Sequence, residues 1–476
     1  MTTPDLIALD ATRMVELLNA GDITPHDALD AMERRVEEVD GHVNALPITS
    51  FDRARAEADR MMTLPRESRG VLKGLPVAIK DLSNVAGVRS TQGSPIFADY
   101  IPDISDYLVT TIEAAGGIVA AKSNTPEFGA GANTFNEVFG ATRNPWNTAL
   151  SAAGSSGGAA VALATGMAWL AHGSDLGGSL RNPASFNGIV GMRPSPGRVA
   201  SGPCANPFDS LSVDGPMARC IADVALFLDA MAIHDPRVPI SLEAPARPFL
   251  DAAREAVPPR RVAFSADLGI TPVDPVIADL CCAAARKLAD AGIEVIERHP
   301  DFTGAHEAFQ VLRAHGFAAS LLDLYENQRE LLKPEVVWNI ERGLALSAAD
   351  IAGAERLRGE IFNRAAGFMH DVDLLLTPAT IVPPYPVEER YVSACNGVEF
   401  ETYIDWLAIA YAITLTSLPA LSMPAGLTPD GLPAGLQLVG KPRGEAMLLS
   451  HAAMVETVLG RLAIPRNPHS ASASPG

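Results

Sequence analysis

Between residues 129 and 199 the sequence is crowded with Gly, Ser, Asn and Pro, yet it encloses an apolar, helix-like run at 159–170. A flexible linker would not carry such a run in its middle, so the stretch must be part of an ordered fold. Two short segments in it hold most of the information. One is Ala153-Gly154-Ser155-Ser156-Gly157-Gly158; the other, with Ser179 placed 24 residues after Ser155, is Gly173-Ser174-Asp175-Leu176-Gly177-Gly178-Ser179-Leu180-Arg181. Glycines beside serines permit positive φ and close approach of a ligand to backbone N–H groups. An oxyanion hole requires the same properties, with donors aimed at the charge that develops on a tetrahedral intermediate.

Other readings of glycine loops are weaker here. No Gly-Lys-Ser/Thr follows, so a phosphate-binding P-loop fails, and no Gly-x-Gly-x-x-Gly opens a βαβ unit. Residues 154–158 satisfy Gly-x-Ser-x-Gly around Ser156, but a nucleophile elbow needs a buried strand just before it, and 148–153 is not one. His172 precedes the second loop on an apolar run and reads as structural, so a Ser-His-Asp triad is not indicated. Where histidine is absent, lysine is the usual base for a serine. Lys80 is the candidate. It ends the apolar strand Leu75-Pro76-Val77-Ala78-Ile79, where burial favours the neutral amine. Strand alternation turns the neighbouring Asp81 to the opposite face.

Around this centre the chain reads as α/β. Residues 5–63 read as helical, with Thr24 as an N-cap before Pro25 and an amphipathic repeat at Leu29, Met32, Val36 and Val39. A helix at 107–115 leads into a strand at 118–121. A second helical passage runs from 213 to 234, residues 235–260 read as an irregular surface excursion, and strands are expected at 261–264, 293–296 and 373–376. The alternation suggests a mixed sheet covered by helices on both faces. Residues 1–464 are expected to form one domain, with 465–476 a disordered tail.

The balance of 37 basic against 56 acidic residues gives −19, which argues against nucleic-acid partners and against anionic membranes. No segment supplies about 18 uninterrupted apolar residues, and acidic and basic residues break up the N-terminus where a secretory signal would need an apolar stretch. The five cysteines show no metal-ligand or disulfide spacing and read as buried, reduced thiols in a cytoplasmic protein.

The spacing of Lys80, Ser155 and Ser179 and the text around them resemble the amidase signature family. The likeness extends to Gly74-Leu75-Pro76-Val77-Ala78-Ile79-Lys80-Asp81, Gly140-Ala141-Thr142-Arg143-Asn144-Pro145-Trp146-Asn147, Gly188-Ile189-Val190-Gly191-Met192-Arg193-Pro194, Asp214-Gly215-Pro216-Met217-Ala218-Arg219 and the late Leu418-Pro419-Ala420-Leu421-Ser422-Met423-Pro424. It covers nearly the whole chain. The resemblance implies one large α/β domain with a central mixed sheet and a Ser–cis-Ser–Lys triad. Ser179 would be the nucleophile, Ser155 the bridging serine after a cis Gly154–Ser155 peptide, and Lys80 the base. Backbone N–H groups of Leu176, Gly177, Gly178 and Ser179 would form the oxyanion hole. That proton inventory uses neither metal nor organic cofactor, and leaves Asp175 and Arg181 to brace the loop.

Two departures from the family pattern flank the reacting centre: Ala153 where glycine is common, and Leu176 where many members have threonine. Leucine makes the wall larger and apolar, favouring an apolar or aromatic acyl side. Phe208, Tyr403 and Trp406, in the more variable loops, are candidates for lining the pocket. The expected activity is a stand-alone hydrolase of small-molecule carboxylic amides, extending to anilides, esters or carbamates. The alternative is the glutaminase subunit of a tRNA-dependent amidotransferase, which shares the resemblance. Leu176, the absence of an arginine-rich patch in 339–364 and the charge argue against it. A non-catalytic binding protein is disfavoured by the presence of all three triad residues. A homodimer through the N-terminal helices is compatible with the sequence.

Overall fold

Short apolar strands alternate with helices along the chain, and in the computed structural model, which describes residues 5–469, eleven of them join one mixed sheet. In sheet order they are Ile48–Thr49, Ile118–Ser123, Pro76–Lys80, Leu170–Asp175, Val213–Ala218, Val190–Arg193, Ala420–Leu427, Pro433–Val439, Leu374–Pro378, Arg261–Phe264 and Glu294–Glu297. Pro76–Lys80 pairs in parallel with both of its neighbours, whereas the middle of the sheet is antiparallel. Pro76–Lys80, Ile118–Ser123, Val190–Arg193, Leu374–Pro378 and Pro433–Val439 are buried at every position, as a sheet covered on both faces requires. One continuous apolar core runs from Leu6 to Val455.

The N-terminal helices dress this body. Pro25–Val43 starts with a capping box in which the Thr24 side chain accepts from Asp27 N–H and the Asp27 carboxylate accepts from Thr24 N–H. Its stripe of Leu29, Met32, Val36 and Val39 is buried within the same chain. Pairing of two copies through these helices would therefore have to use their polar outer faces.

Several local expectations need correction. The apolar run at 159–170 is not one helix: Gly157–Thr165 is helical, Gly166 closes it in the left-handed conformation, and Leu170 already belongs to the next strand. Likewise 213–234 divides into the strand Val213–Ala218 and the helix Ile221–Met231. The first run is almost wholly apolar, so periodicity could not mark the change there. Residues 235–260 contain a short helix, Phe249–Glu255. The stretch 5–63, expected to be helical, also holds one short strand, Ile48–Thr49, paired with Ile118–Ser123.

The tail expected to be disordered from 465 is ordered as far as 469. Arg466 N–H donates to Ala164 O at 3.0 Å, the Arg466 guanidinium stacks 3.8 Å over Trp146, and His469 N–H donates to Pro145 O at 3.0 Å. Residues 470–476 lie outside the described residues. All five cysteines are free, but Cys204 is exposed and Cys282 half-buried rather than buried. Among the described residues no helix is long and apolar enough to cross a membrane.

Candidate active site

Lys80 ends its strand fully buried. Its Nζ lies 2.7 Å from Ser155 Oγ, 3.0 Å from Ser156 Oγ and 2.9 Å from Ser174 Oγ. No carboxylate among the described residues forms an ion pair with it. Burial pushes the amine down to about 7, against the upward pull of Asp214 and Asp175. The second buried lysine shows what pairing does. Lys122, on the adjacent strand opposite Ile79, contacts Asp81 Oδ1 at 2.6 Å and donates to Ser90 Oγ at 2.5 Å. Asp81 also accepts from Thr91 N–H. Asp81 thus faces away from Lys80, as strand alternation predicts.

The serine loop enters Ser155 through a cis Gly154–Ser155 peptide. Ala153, where the family commonly has glycine, adopts φ 57°, the left-handed region that glycine occupies without steric cost. Thr134 clamps the loop from both sides: its hydroxyl donates to Ala153 O at 2.8 Å and accepts from Gly157 N–H at 3.2 Å. A Cβ on Gly157 would stand 2.3 Å from that hydroxyl, so glycine is needed there for the clamp to close. Ser156 N–H reaches Ser179 O at 3.3 Å and ties the two loops together. Ser155 is 2% exposed and Lys80 is buried, whereas Ser179 is half-buried.

The second loop is built on Asp175. Burial alone would raise its carboxyl, but Arg181 and then Arg193 hold it well below the usual carboxylate range. Arg181 donates to both carboxylate oxygens, at 2.9 and 3.0 Å, and Arg193 lies 3.5 Å away. Asp175 and Arg181 thus brace the loop, as expected of that pair, and Arg193 adds to the brace. Gly178 departs from expectation: its N–H donates to Asp175 Oδ1 at 2.9 Å, and Leu180 N–H donates to Oδ2 at 3.1 Å. At φ 112° Gly178 makes the turn that feeds this carboxylate, so its N–H is committed to the brace and not to an oxyanion.

A cavity of about 330 Å³ abuts the site between Leu82, Phe128 and Leu176 on the side of the serine loops and Phe317 and Leu321 on the helix Ala305–Gln328. Leu176 forms part of its wall. The aromatic candidates do not. Phe208 is 69% exposed; its neighbours Pro207 and Asp209 line the cavity instead. Trp406 is buried in the core against Tyr385, and Tyr403 is buried with its hydroxyl accepting from Arg313 at 3.0 Å and from Asn339. Loop composition cannot tell a core or surface aromatic from a cavity aromatic, which accounts for these three.

Sequence reasoning missed two of the three hydroxyls around Lys80. Ser156 follows Ser155 directly, and Ser174 shares a strand face with His172 two residues earlier; a period-2 reading of 170–175 would have found the latter. It also missed the partner of His172. The Nδ1 of His172 accepts the Lys80 backbone N–H at 3.4 Å, so its proton sits on Nε2, which donates to Asp214 Oδ1 at 2.9 Å.

Fold and site together define a hydrolase of the amide-cleaving class. The chain belongs to the amidase family, whose sequence model, described as Amidase, it matches over residues 27–449. It is 35% identical over 467 residues to an acylamidase of Rhodococcus erythropolis, with 96% of this chain and 97% of the relative covered. It is 34% identical over 475 residues to one of the subunits of the glutamyl-tRNA(Gln) amidotransferase of Moorella thermoacetica, covering 94% and 96%. Among solved structures, a bacterial aryl acylamidase of the amidase signature enzymes superposes with a TM-score of 0.88 at 28% identity, covering 95% of this chain and 96% of that one. The expected fold, a large mixed α/β sheet of the amidase signature type, is the one observed. The chain is an amidase, a hydrolase acting on carbon–nitrogen bonds.

Proposed function

We propose that this amidase, folded as one domain, acts without partner subunits on small apolar amides, N-acyl arylamines above all, through an acyl-enzyme on Ser179. The observation that carries the reading is the 2.7 Å contact between Lys80 Nζ and Ser155 Oγ, on an amine that no carboxylate pairs. A neutral lysine has two N–H donors and one lone pair. Ser156 gives its own O–H to Ser174 O at 3.3 Å, so it receives a hydrogen from Lys80. With the second N–H on Ser174 Oγ, the lone pair is left for the Ser155 hydroxyl.

Lys80 takes the Ser155 proton as Ser155 takes that of Ser179, and Ser179 attacks the amide carbonyl. The N–H groups of Leu176, Gly177 and Ser179 stabilise the oxyanion. Ser155 returns a proton to the leaving nitrogen, since an amide anion is too basic to depart unprotonated, and water deacylates Ser179 through the same relay. Neither metal nor organic cofactor enters this inventory.

The apolar walls Leu82, Phe128, Leu176 and Phe317 suit an aryl or long acyl group, in keeping with the acylamidase and aryl acylamidase relatives. Asp209 and Asp214 are the charged residues of the cavity wall; neither Lys nor Arg is among its lining residues. The α-carboxylate of free glutamine would have no cationic partner there, which favours this reading over the amidotransferase one. The reduced cysteines support a cytoplasmic enzyme. Incubating the isolated protein with an N-acyl arylamine and, separately, with glutamine tests the assignment. Arylamine release is expected; glutamine turnover without arylamine release would overturn it.

A further inference from the structure

We propose that Asp214, held by His172 and Ser201 on the cavity wall, is a positioning residue that sets the proton affinity of Lys80. The inference rests on the reading of Lys80 as the base. The antiparallel register puts Asp214 opposite Ser174, whose hydroxyl is 2.9 Å from Lys80 Nζ, and places its carboxylate against His172, the residue that accepts the Lys80 N–H.

The charges around Lys80 single out Asp214. On its own strand segment, Asp81 points away and is paired with Lys122. From the strand Leu170–Asp175 come His172, whose Nδ1 accepts the Lys80 backbone N–H, and Asp175, whose charge Arg181 and Arg193 offset. The loop 154–156 brings only hydroxyls. Asp106, nearer Lys122 and Asp214, accepts from Asn84 N–H and is pushed up to about 6 by burial. Asp214 has His172 and the Ser201 hydroxyl as partners, and neither a lysine nor an arginine. Its negative charge is thus the one near Lys80 that no lysine or arginine in contact cancels.

An uncompensated carboxylate beside a buried amine favours the ammonium and so opposes the effect of burial. Without it, Lys80 would release its proton at a lower pH and be a weaker base once neutral. His172 fixes where the charge sits, by spanning the Lys80 backbone and Asp214.

The test is the pH dependence of kcat/KM for an uncharged N-acyl arylamine in the wild type, Asp214→Asn, Asp214→Ser, Asp214→Glu and Ser201→Ala. Both charge-removing variants should shift the acid limb down by about half a unit or more, with a lower plateau at high pH. Asp214→Glu and Ser201→Ala, which keep the charge, should leave its midpoint near that of the wild type. Two charge-removing variants are included so that poor folding of one leaves the other to decide. A lower plateau with an unmoved acid limb would overturn the proposal and reduce Asp214 to a structural residue. A wild-type profile with no acid limb near neutrality would instead overturn the assignment of Lys80.

Discussion

Lys80 and Asp81 are neighbours in sequence whose side chains work on opposite faces of one strand. Lys80 meets three serine hydroxyls, while Asp81 is taken up by Lys122 at 2.6 Å. Had Asp81 faced the serines it would have held Lys80 as an ammonium, and a protonated amine accepts no proton. The pairing of Asp81 with Lys122 therefore keeps one of two buried lysines free for base chemistry.

The first prediction concerns pH. Burial brings the Lys80 amine to about 7, well below its ordinary value, so the neutral form that takes a proton is present above that pH and lost below it. The kcat/KM of a non-ionising amide should fall about tenfold per unit on the acid side of a midpoint near 7. In Lys80→Ala this limb should vanish together with nearly all activity, as a pH–rate profile of both proteins would show.

Thr134 should matter although it does not touch the reacting atoms. Thr134→Val removes the hydroxyl that bonds both Ala153 O and Gly157 N–H, leaving two buried backbone groups unpaired. A loss of about 1–3 kcal/mol in urea unfolding is expected. The fall in kcat should exceed any change in KM, because the loop carrying Ser155 loses its clamp.

Breaking the brace of the second loop should cost more. Arg181 and Asp175 are both fully buried, and Arg181 also donates to Ala410 O and Gln437 Oε1. Arg181→Met leaves the Asp175 charge with Arg193 alone and should destabilise the protein by about 3–5 kcal/mol, read from chemical denaturation.

Leu176 should set selectivity without setting the chemistry. Its side chain lines the cavity, so Leu176→Ala withdraws apolar wall from an aryl or long acyl group. A loss of about 1–2 kcal/mol, roughly 5–30-fold in kcat/KM, is expected for such substrates. Acetamide, which is too short to reach the wall, should change little.

How far the sequence could be read depends on how local each signal is. Lys80, Ser155 and Ser179 sit in glycine-rich or strand-end text whose chemistry is local, and the structure brings Lys80 and Ser155 into contact while the tie from Ser156 to Ser179 joins the loops. The commitment of Gly178 N–H to Asp175 was not legible, because it depends on which way one peptide faces inside the turn. Nor was the fate of Phe208, Tyr403 and Trp406, whose surroundings come from elements far away in sequence; Arg313 and Asn339, for example, hold the Tyr403 hydroxyl. The helix-to-strand change near 166 was hidden because the buried run on either side of it is almost wholly apolar.

The central claim is that Ser179, relayed through Ser155 to Lys80, carries the acyl group. Rapid acid quench of the enzyme turning over an N-acyl arylamine or the matching aryl ester, followed by fragment mass spectrometry of the 144–181 peptide, measures this directly. The acyl mass should lie on Ser179 and be absent from Ser179→Ala; the same mass on Ser155 or Ser156, or its persistence in Ser179→Ala, would contradict the account.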